Sequence, residues 1–178
     1  MEQNKNPHFG GGKRRNTTTA YLTRAAAVAA IYVVLTLLSM FLGLDKGAIQ
    51  LRFSEALCVL PMLMPSAVPG LFVGCLISNI ITGGAVWDII FGSLATLIGA
   101  FGAYLLRNLP EKIKLLGTIP NIISNSLIVP LILMYAYGVE GTYFVLMGPI
   151  LLSEIICSGV FGTVLYYPVR ELIKKYRI

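Results

Sequence analysis

The chain has 178 residues, of which 56% are hydrophobic and only 12% charged, with a mean hydropathy of +0.78. Soluble domains carry about 25% charged residues, and a soluble body this apolar would expose large adhesive patches. The bilayer is the solvent that suits it, and the length leaves little room for a separate soluble domain or catalytic module. Of the net charge of +6, twelve of the fourteen basic residues fall in three clusters: Lys5, Lys13, Arg14, Arg15 and Arg24; Arg107, Lys112 and Lys114; Arg170, Lys174, Lys175 and Arg177. These clusters bracket apolar runs, which points to the positive-inside rule rather than to nucleic acid. Both termini and the central connection are expected in the cytoplasm.

In chain order, residues 1–18 read as a mobile cytoplasmic tail, with the single histidine, His8, inside it. Residues 19–170 read as one membrane domain, an all-α bundle of six transmembrane helices, and 171–178 as a basic cytoplasmic tail. The first apolar run, Ala25 to Leu44, is long enough to span, and Thr17 to Thr19 are placed to cap it. Asp45, Lys46 and Gly47 mark an outer loop. The prolines at 61, 65 and 69 split the next stretch, because each interior proline removes a hydrogen bond and clashes with the turn before it. Two shorter helices, about 53–64 and 68–82, are predicted to meet near Pro65. The first is too short to cross alone and must pack within protein or tilt beside thinned bilayer. Asp88 opens a fourth segment running to Leu106. A fifth spans Ile119 to Gly138, and a sixth runs from Tyr143 to Tyr167, with Pro168 as its end.

Polar residues inside these runs carry what chemistry there is. Arg52, Glu55, Asp88 and Glu154 are ionisable and lie within or beside apolar sequence. Such residues cost about 2.5–3.5 kcal/mol at a helix centre and face protein or a wet cavity. Gln50, Asn79, Asn121, Ser124 and Asn125 add amides and a hydroxyl, and the spacing of Asn121 and Asn125 places both on one helix face. Trp87, Tyr32 and Phe53 are candidates for a stacking surface. Each has a plainer account. Arg52 and Glu55 at i and i+3 suit an internal ion pair, Asp88 suits a helix cap, and Trp87, Tyr143, Tyr166 and Tyr167 suit an aromatic belt. Glu154, mid-span and without a basic neighbour in sequence, is open to three readings: a ligand donor, a distant partner for Arg52, or a protonated carboxyl.

Small residues recur at a spacing of four: Ala25 with Ala29, Ala26 with Ala30, Gly70 with Gly74, and Ala95, Gly99 and Ala103. In lipid such stripes let helix backbones approach closely, within the subunit or, at the first helix, against a partner. Enzymatic signatures are missing. The sequence has no GxxxxGK[ST] phosphate loop and no HExxH, and with His8 in the tail no Ser–His or Cys–His hydrolase is expected. Cys58, Cys75 and Cys157 lie in apolar stretches without metal spacing. No cofactor and no metal site is predicted.

The segments AAAVAAIYVVLTLLS, GAIQLRFSEALCVLPMLMP, PGLFVGCLISNIITGG and DIIFGSLATLIGA resemble the QueT family, over roughly residues 20 to 170. That family is the set of substrate-binding (S) subunits of energy-coupling factor (ECF) transporters assigned to queuosine precursors. The resemblance implies a six-helix S-subunit fold in the bacterial plasma membrane, a transmembrane coupling subunit and two ATPase subunits as partners, and no enzymatic activity in the chain itself. It also implies that the first helix docks the coupling subunit through Ala25 with Ala29 or Ala26 with Ala30. A 7-deazaguanine ligand presents donors that a carboxylate accepts in pairs, which suits the set Gln50, Arg52, Glu55, Asn79, Trp87, Asp88, Asn121, Asn125 and Glu154. A proton-coupled carrier for a small polar solute, and an S subunit for another vitamin-like ligand, are the alternatives.

Overall fold

A computed structural model describes residues 17–44 and 50–176. Most of the predicted N-terminal tail with His8, the outer-loop residues Asp45, Lys46 and Gly47, and Arg177 lie outside the described residues. Among the described residues six helices follow one another as expected, four of them long and apolar enough to cross a membrane.

Helix α1 (Thr17–Phe41) starts eight residues before the apolar run, so Thr17 to Arg24 form its first turns rather than a cap outside it. It stops at Gly43, whose φ of 70° is the left-handed conformation that closes helices, with the Leu44 amide donating to the Ser39 carbonyl at 2.9 Å. The chain then turns back into the bundle as a half-length helix, Phe53–Met62, wound in 3-10 form. At about 2.0 Å rise per residue, its ten residues reach roughly 20 Å, against about 15 Å for an α-helix of the same length. Every residue from Ser54 to Met62 is buried. A backbone segment too short to cross is thus tolerated at membrane depth because protein surrounds it. Thr36 Oγ1 lies 2.9 Å from Ser54 Oγ, and the Phe53 amide donates to Ser39 Oγ at 2.9 Å, which ties the start of this half-helix to α1.

After the turn at Pro65, α2 (Ala67–Ile81) returns along α1. Gly70 and Gly74 make that contact possible: a β-carbon at 70 would lie 2.6 Å from the Ala25 carbonyl oxygen, and one at 74 would lie 2.8 Å from Tyr32 Cβ and 3.1 Å from Ala29 Cα. Ala25 and Ala29 are therefore spent on packing within the subunit, while Ala26 and Ala30 are exposed.

Helix α3 (Asp88–Asn108) opens with a π turn. Helix α4 (Ile119–Tyr135) packs on it where Gly99 faces Asn121 and Gly102 faces the Pro120 ring. Helix α5 (Tyr143–Lys175) contains a second π turn at Ile155–Phe161 and runs through Pro168 instead of ending there. Two anchors hold that extension: Tyr166 is buried in the core, not in an aromatic belt, and Arg170 pairs with Glu111 at 2.9 Å.

The start of α1, the Pro65 turn, the 109–118 connection and the end of α5 share one end of the bundle. Tyr21 donates to the Pro65 carbonyl at 3.4 Å, and Arg170 reaches Glu111. At the opposite end the Leu51 amide donates to Leu44 O at 2.8 Å, and the Ala85 amide donates to Tyr137 Oη at 3.1 Å. Arg24, Arg107, Lys114, Arg170, Lys174 and Lys175 all belong to the first end.

Substituting Gly70→Ala forces a methyl against a backbone oxygen and is expected to destabilise by about 1–3 kcal/mol. Gly148→Ala, where a β-carbon meets nothing within 4 Å, is expected to leave stability unchanged or raise it by up to about 1 kcal/mol. Melting temperatures of the two variants in detergent micelles should separate in that order.

Candidate functional site: a carboxylate cluster under a cavity

The half-helix carries Glu55 into the middle of the bundle, where it is 4% exposed. The described residues hold no cation in contact with it, and four neutral donors serve it instead. Tyr32 of α1 donates to Oε1 at 2.6 Å. On Oε2 converge Cys58 Sγ at 3.3 Å, Asn121 Nδ2 at 3.0 Å and Asn125 Nδ2 at 3.4 Å. The one-turn spacing of the two asparagines brings both α4 amides to the same carboxylate. Asn121 Nδ2 also approaches Glu154 Oε2 at 3.2 Å and Ser158 Oγ at 3.3 Å, so one amide nitrogen bridges two carboxylates from different helices. This orientation leaves Asn121 Oδ1 buried without a partner among the described residues, against Gly99, where a β-carbon would lie 2.6 Å from Asn121 Cα. A glycine opposite makes the room for this side chain.

Above the cluster lies a cavity of about 360 Å³, within the range of small-ligand sites, about 300–1,000 Å³. Gln50, Arg52, Glu55, Asp88, Asn125 and Glu154 line it, so six of the nine residues proposed from sequence come together. The other three do not. Asn121 sits behind the wall and positions the two glutamates. Asn79 is also behind it, donating to the Asp88 main-chain carbonyl at 3.3 Å. Trp87 is 59% exposed on the outside of the bundle, stacked on Phe91 at 5.8 Å. Neither Tyr32 nor Phe53 lines the cavity: Tyr32 braces Glu55, and Phe53 packs on Phe161 at 5.9 Å.

Arg52 is half-buried and lies in the electrostatic fields of Asp88 and Glu55, but its guanidinium is in no ion pair among the described residues. The direct Arg52–Glu55 pair that the i, i+3 spacing suggests does not form. Arg52 precedes the half-helix with extended backbone (φ −107°, ψ 106°), which breaks the helical register such a pair needs. Asp88 is not a cap either. Its Oδ2 accepts from Tyr137 Oη at 2.9 Å, and its Oδ1 lies 2.8 Å from where a β-carbon on Gly92 would be. Tyr137 in turn accepts the Ala85 amide, joining the two loops at the cavity mouth.

Sequence reading missed Tyr137, Gly92, Thr96 and Ser153 on this wall. For Gly92 a signal exists, since Asp88 and Gly92 are one turn apart and a small residue beside a buried carboxylate leaves it space. For Tyr137 none exists, because the contact with Asp88 spans 49 residues.

A family model described as QueT transporter matches residues 22–171. The chain is also 37% identical over 73 residues to the protein named queuosine precursor transporter QueT from Lactococcus lactis subsp. cremoris (strain MG1363), an alignment that covers 41% of this chain and 43% of that relative. The match thus spans less than half the length of the relative. No solved structure matches the chain.

Asn121→Leu removes the shared donor and leaves two buried carboxylates short of partners, a loss expected to cost on the order of 3 kcal/mol. Neutralising one of them with Glu154→Gln in the same chain should recover part of that loss. A thermal-denaturation double-mutant cycle reads the coupling directly; additive effects would show that Asn121 does not serve both glutamates.

Proposed function

The chain belongs to the QueT transporter family, and on that premise we propose that it is the membrane-embedded substrate-binding subunit of an ECF importer for queuosine precursors. The observation that carries this reading is the cavity itself. Three carboxylates, two amides and Arg52, which is in no ion pair among the described residues, converge on it inside an apolar bundle, where polar groups without a guest are costly.

In this reading the bilayer orientation follows the charge. Basic residues gather at the end that holds Arg24, Lys114 and Arg170, which the positive-inside rule assigns to the cytoplasm. Both termini are then cytoplasmic, and the cavity mouth, formed by Thr82, Gly83, Gly84, Tyr137 and Val139, opens outward. Residues 1–18 and 171–178 flank the membrane domain on its inner side.

A 7-deazaguanine offers N1–H and a 2-amino group as adjacent donors. Glu55 is already served by four donors, whereas Glu154 accepts from Asn121 with Asn125 beside it. Glu154 therefore takes the base edge, and Glu55 holds the amides that orient it. Arg52 and Gln50 supply donors for the ring carbonyl. Asp88 keeps Oδ1 free of hydrogen bonds within the described residues and receives a cationic aminomethyl substituent where the ligand carries one. Asn79, Asn121 and Tyr137 position these groups, and Trp87 has no contact with the guest.

Transport needs an energy source that the chain does not encode, and the proposal assigns it to a coupling subunit and two ATPases. Packing supports the Ala26 and Ala30 register for docking the coupling subunit, since that pair is exposed whereas Ala25 and Ala29 are closed against α2. A second reading draws on the closeness of Glu55 and Glu154, two buried carboxylates of which one can carry a transported proton; the amide between them orients both and carries none. A proton-coupled carrier built on it transports in liposomes alone under a pH gradient. The importer transports only with its ATPase partners and ATP.

Calorimetric titration of the purified chain with 7-aminomethyl-7-deazaguanine should give saturable binding that Glu154→Gln weakens by about 10–100-fold, the equivalent of one charge-assisted bond pair. Failure of every 7-deazaguanine to bind tighter than millimolar would reject the substrate assignment. Ala30→Trp should leave that binding intact and abolish ATP-dependent uptake in cells; uptake that survives it would remove the docking role.

A further inference from the structure

A second concavity lies on the other side of the bundle and shares nothing with the carboxylate cluster. It is a groove of about 800 Å³ between α3 and α4, lined by Phe101, Leu105, Leu109, Leu116, Ile123 and Leu127 among others. Gly102 and Pro120 form its floor: the proline ring occupies the space that a side chain on residue 102 would fill. Among the described residues on its wall Ser124 alone is polar, and its hydroxyl is already committed to the Ala95 carbonyl at 2.9 Å. The groove therefore asks only for hydrocarbon along its length.

Its end is different. Between Leu106 and Leu109 stands Arg107, whose guanidinium lies 4.0 Å over the Tyr104 ring and donates through Nη1 to the Tyr104 carbonyl at 3.2 Å. Lys114 folds back beneath it, donating to the Arg107 carbonyl at 2.6 Å and the Leu109 carbonyl at 3.1 Å. Neither cation lines the groove itself, but these contacts hold Lys114 Nζ against the carbonyl of Leu109, a lining residue, and Arg107 over Tyr104, whose ring stacks on the lining Phe101 at 6.3 Å. Neither is in an ion pair among the described residues, whereas Arg170 and Lys174 at the same end of the bundle both are. A guanidinium has five donors, and only one of those on Arg107 is used.

We propose that this groove binds an anionic phospholipid, with one acyl chain along α3 and α4 and its phosphate on Arg107 and Lys114. The two halves of the site select the same molecule. An apolar channel accepts any alkyl chain, and a paired cation at its end favours the lipid whose headgroup keeps a net negative charge. An apolar helix from a protein partner would leave those cations unanswered.

The full-length chain, purified in a neutral detergent, is titrated with phosphatidylglycerol and with phosphatidylcholine of the same acyl composition, and retained lipid is read by native mass spectrometry. Phosphatidylglycerol should be retained at roughly fivefold lower concentration or better. Arg107→Gln should erase that preference, and Arg107→Lys should keep most of it. Ile123→Trp, which fills the groove from an exposed position, should reduce retention of both lipids. Arg170→Gln, a cation away from the groove, should change nothing. Equal retention of the two lipids by the unaltered chain, a preference that survives Arg107→Gln in a chain of unchanged melting temperature, or an equal loss in Arg170→Gln would overturn the proposal.

Discussion

Glu55 occupies a place where a carboxylate is hard to keep: inside a lipid-solvated bundle, 4% exposed, with no cation touching it among the described residues. Stranding a buried charge costs about 3–5 kcal/mol. The structure answers with neutral donors drawn from α1, the half-helix and α4. Each of those elements is held in register by the donor it supplies, so the same bonds that satisfy the charge also fix the heights of the helices. Moving α4 by one turn would withdraw Asn121 and Asn125 together, and with them the link to Glu154. The cavity above has its shape because this layer beneath it cannot slide.

Close approach of backbones is the second requirement, and it falls to glycine. Gly70 and Gly74 bring α2 onto α1, and Gly99 lets α4 come near enough for Asn121 to reach two glutamates. In lipid no hydrophobic force drives helices together, so contact area and internal hydrogen bonds carry association. The glycines provide the first and the asparagines the second, at adjoining levels of the same interface.

Much of this was legible in the sequence, and the pattern of what was not is physical. Hydropathy and proline placement located all six helices to within a few residues, apart from the ends of α1 and α5, because lipid sets the length of a span and proline sets its breaks. Periodicity put Asn121 and Asn125 on one face. What one-dimensional spacing does not contain is which way a face points. Asn79 and Trp87 lie near the right depth but are rotated away from the cavity, Asn79 behind it and Trp87 toward the outside. The two alanine stripes on α1 are equivalent as strings, and only the position of α2 separates the packed pair from the exposed one. Tyr137 was invisible because its partner is fixed by where two loops meet.

The half-helix has a consequence for how the chain enters the membrane. With Arg52 and Glu55 at its start and barely ten residues of length, it gains too little from lipid to insert by itself. Its hydrogen-bonding partners on α1 are already in place when it leaves the ribosome, but α2 and α4, which complete its enclosure, are made later. The segment must therefore wait at the membrane surface, or beside α1, until its walls arrive. Biogenesis of this bundle is then a matter of order as much as of hydrophobicity: the segment under the cavity is enclosed only after the helices that follow it have been made.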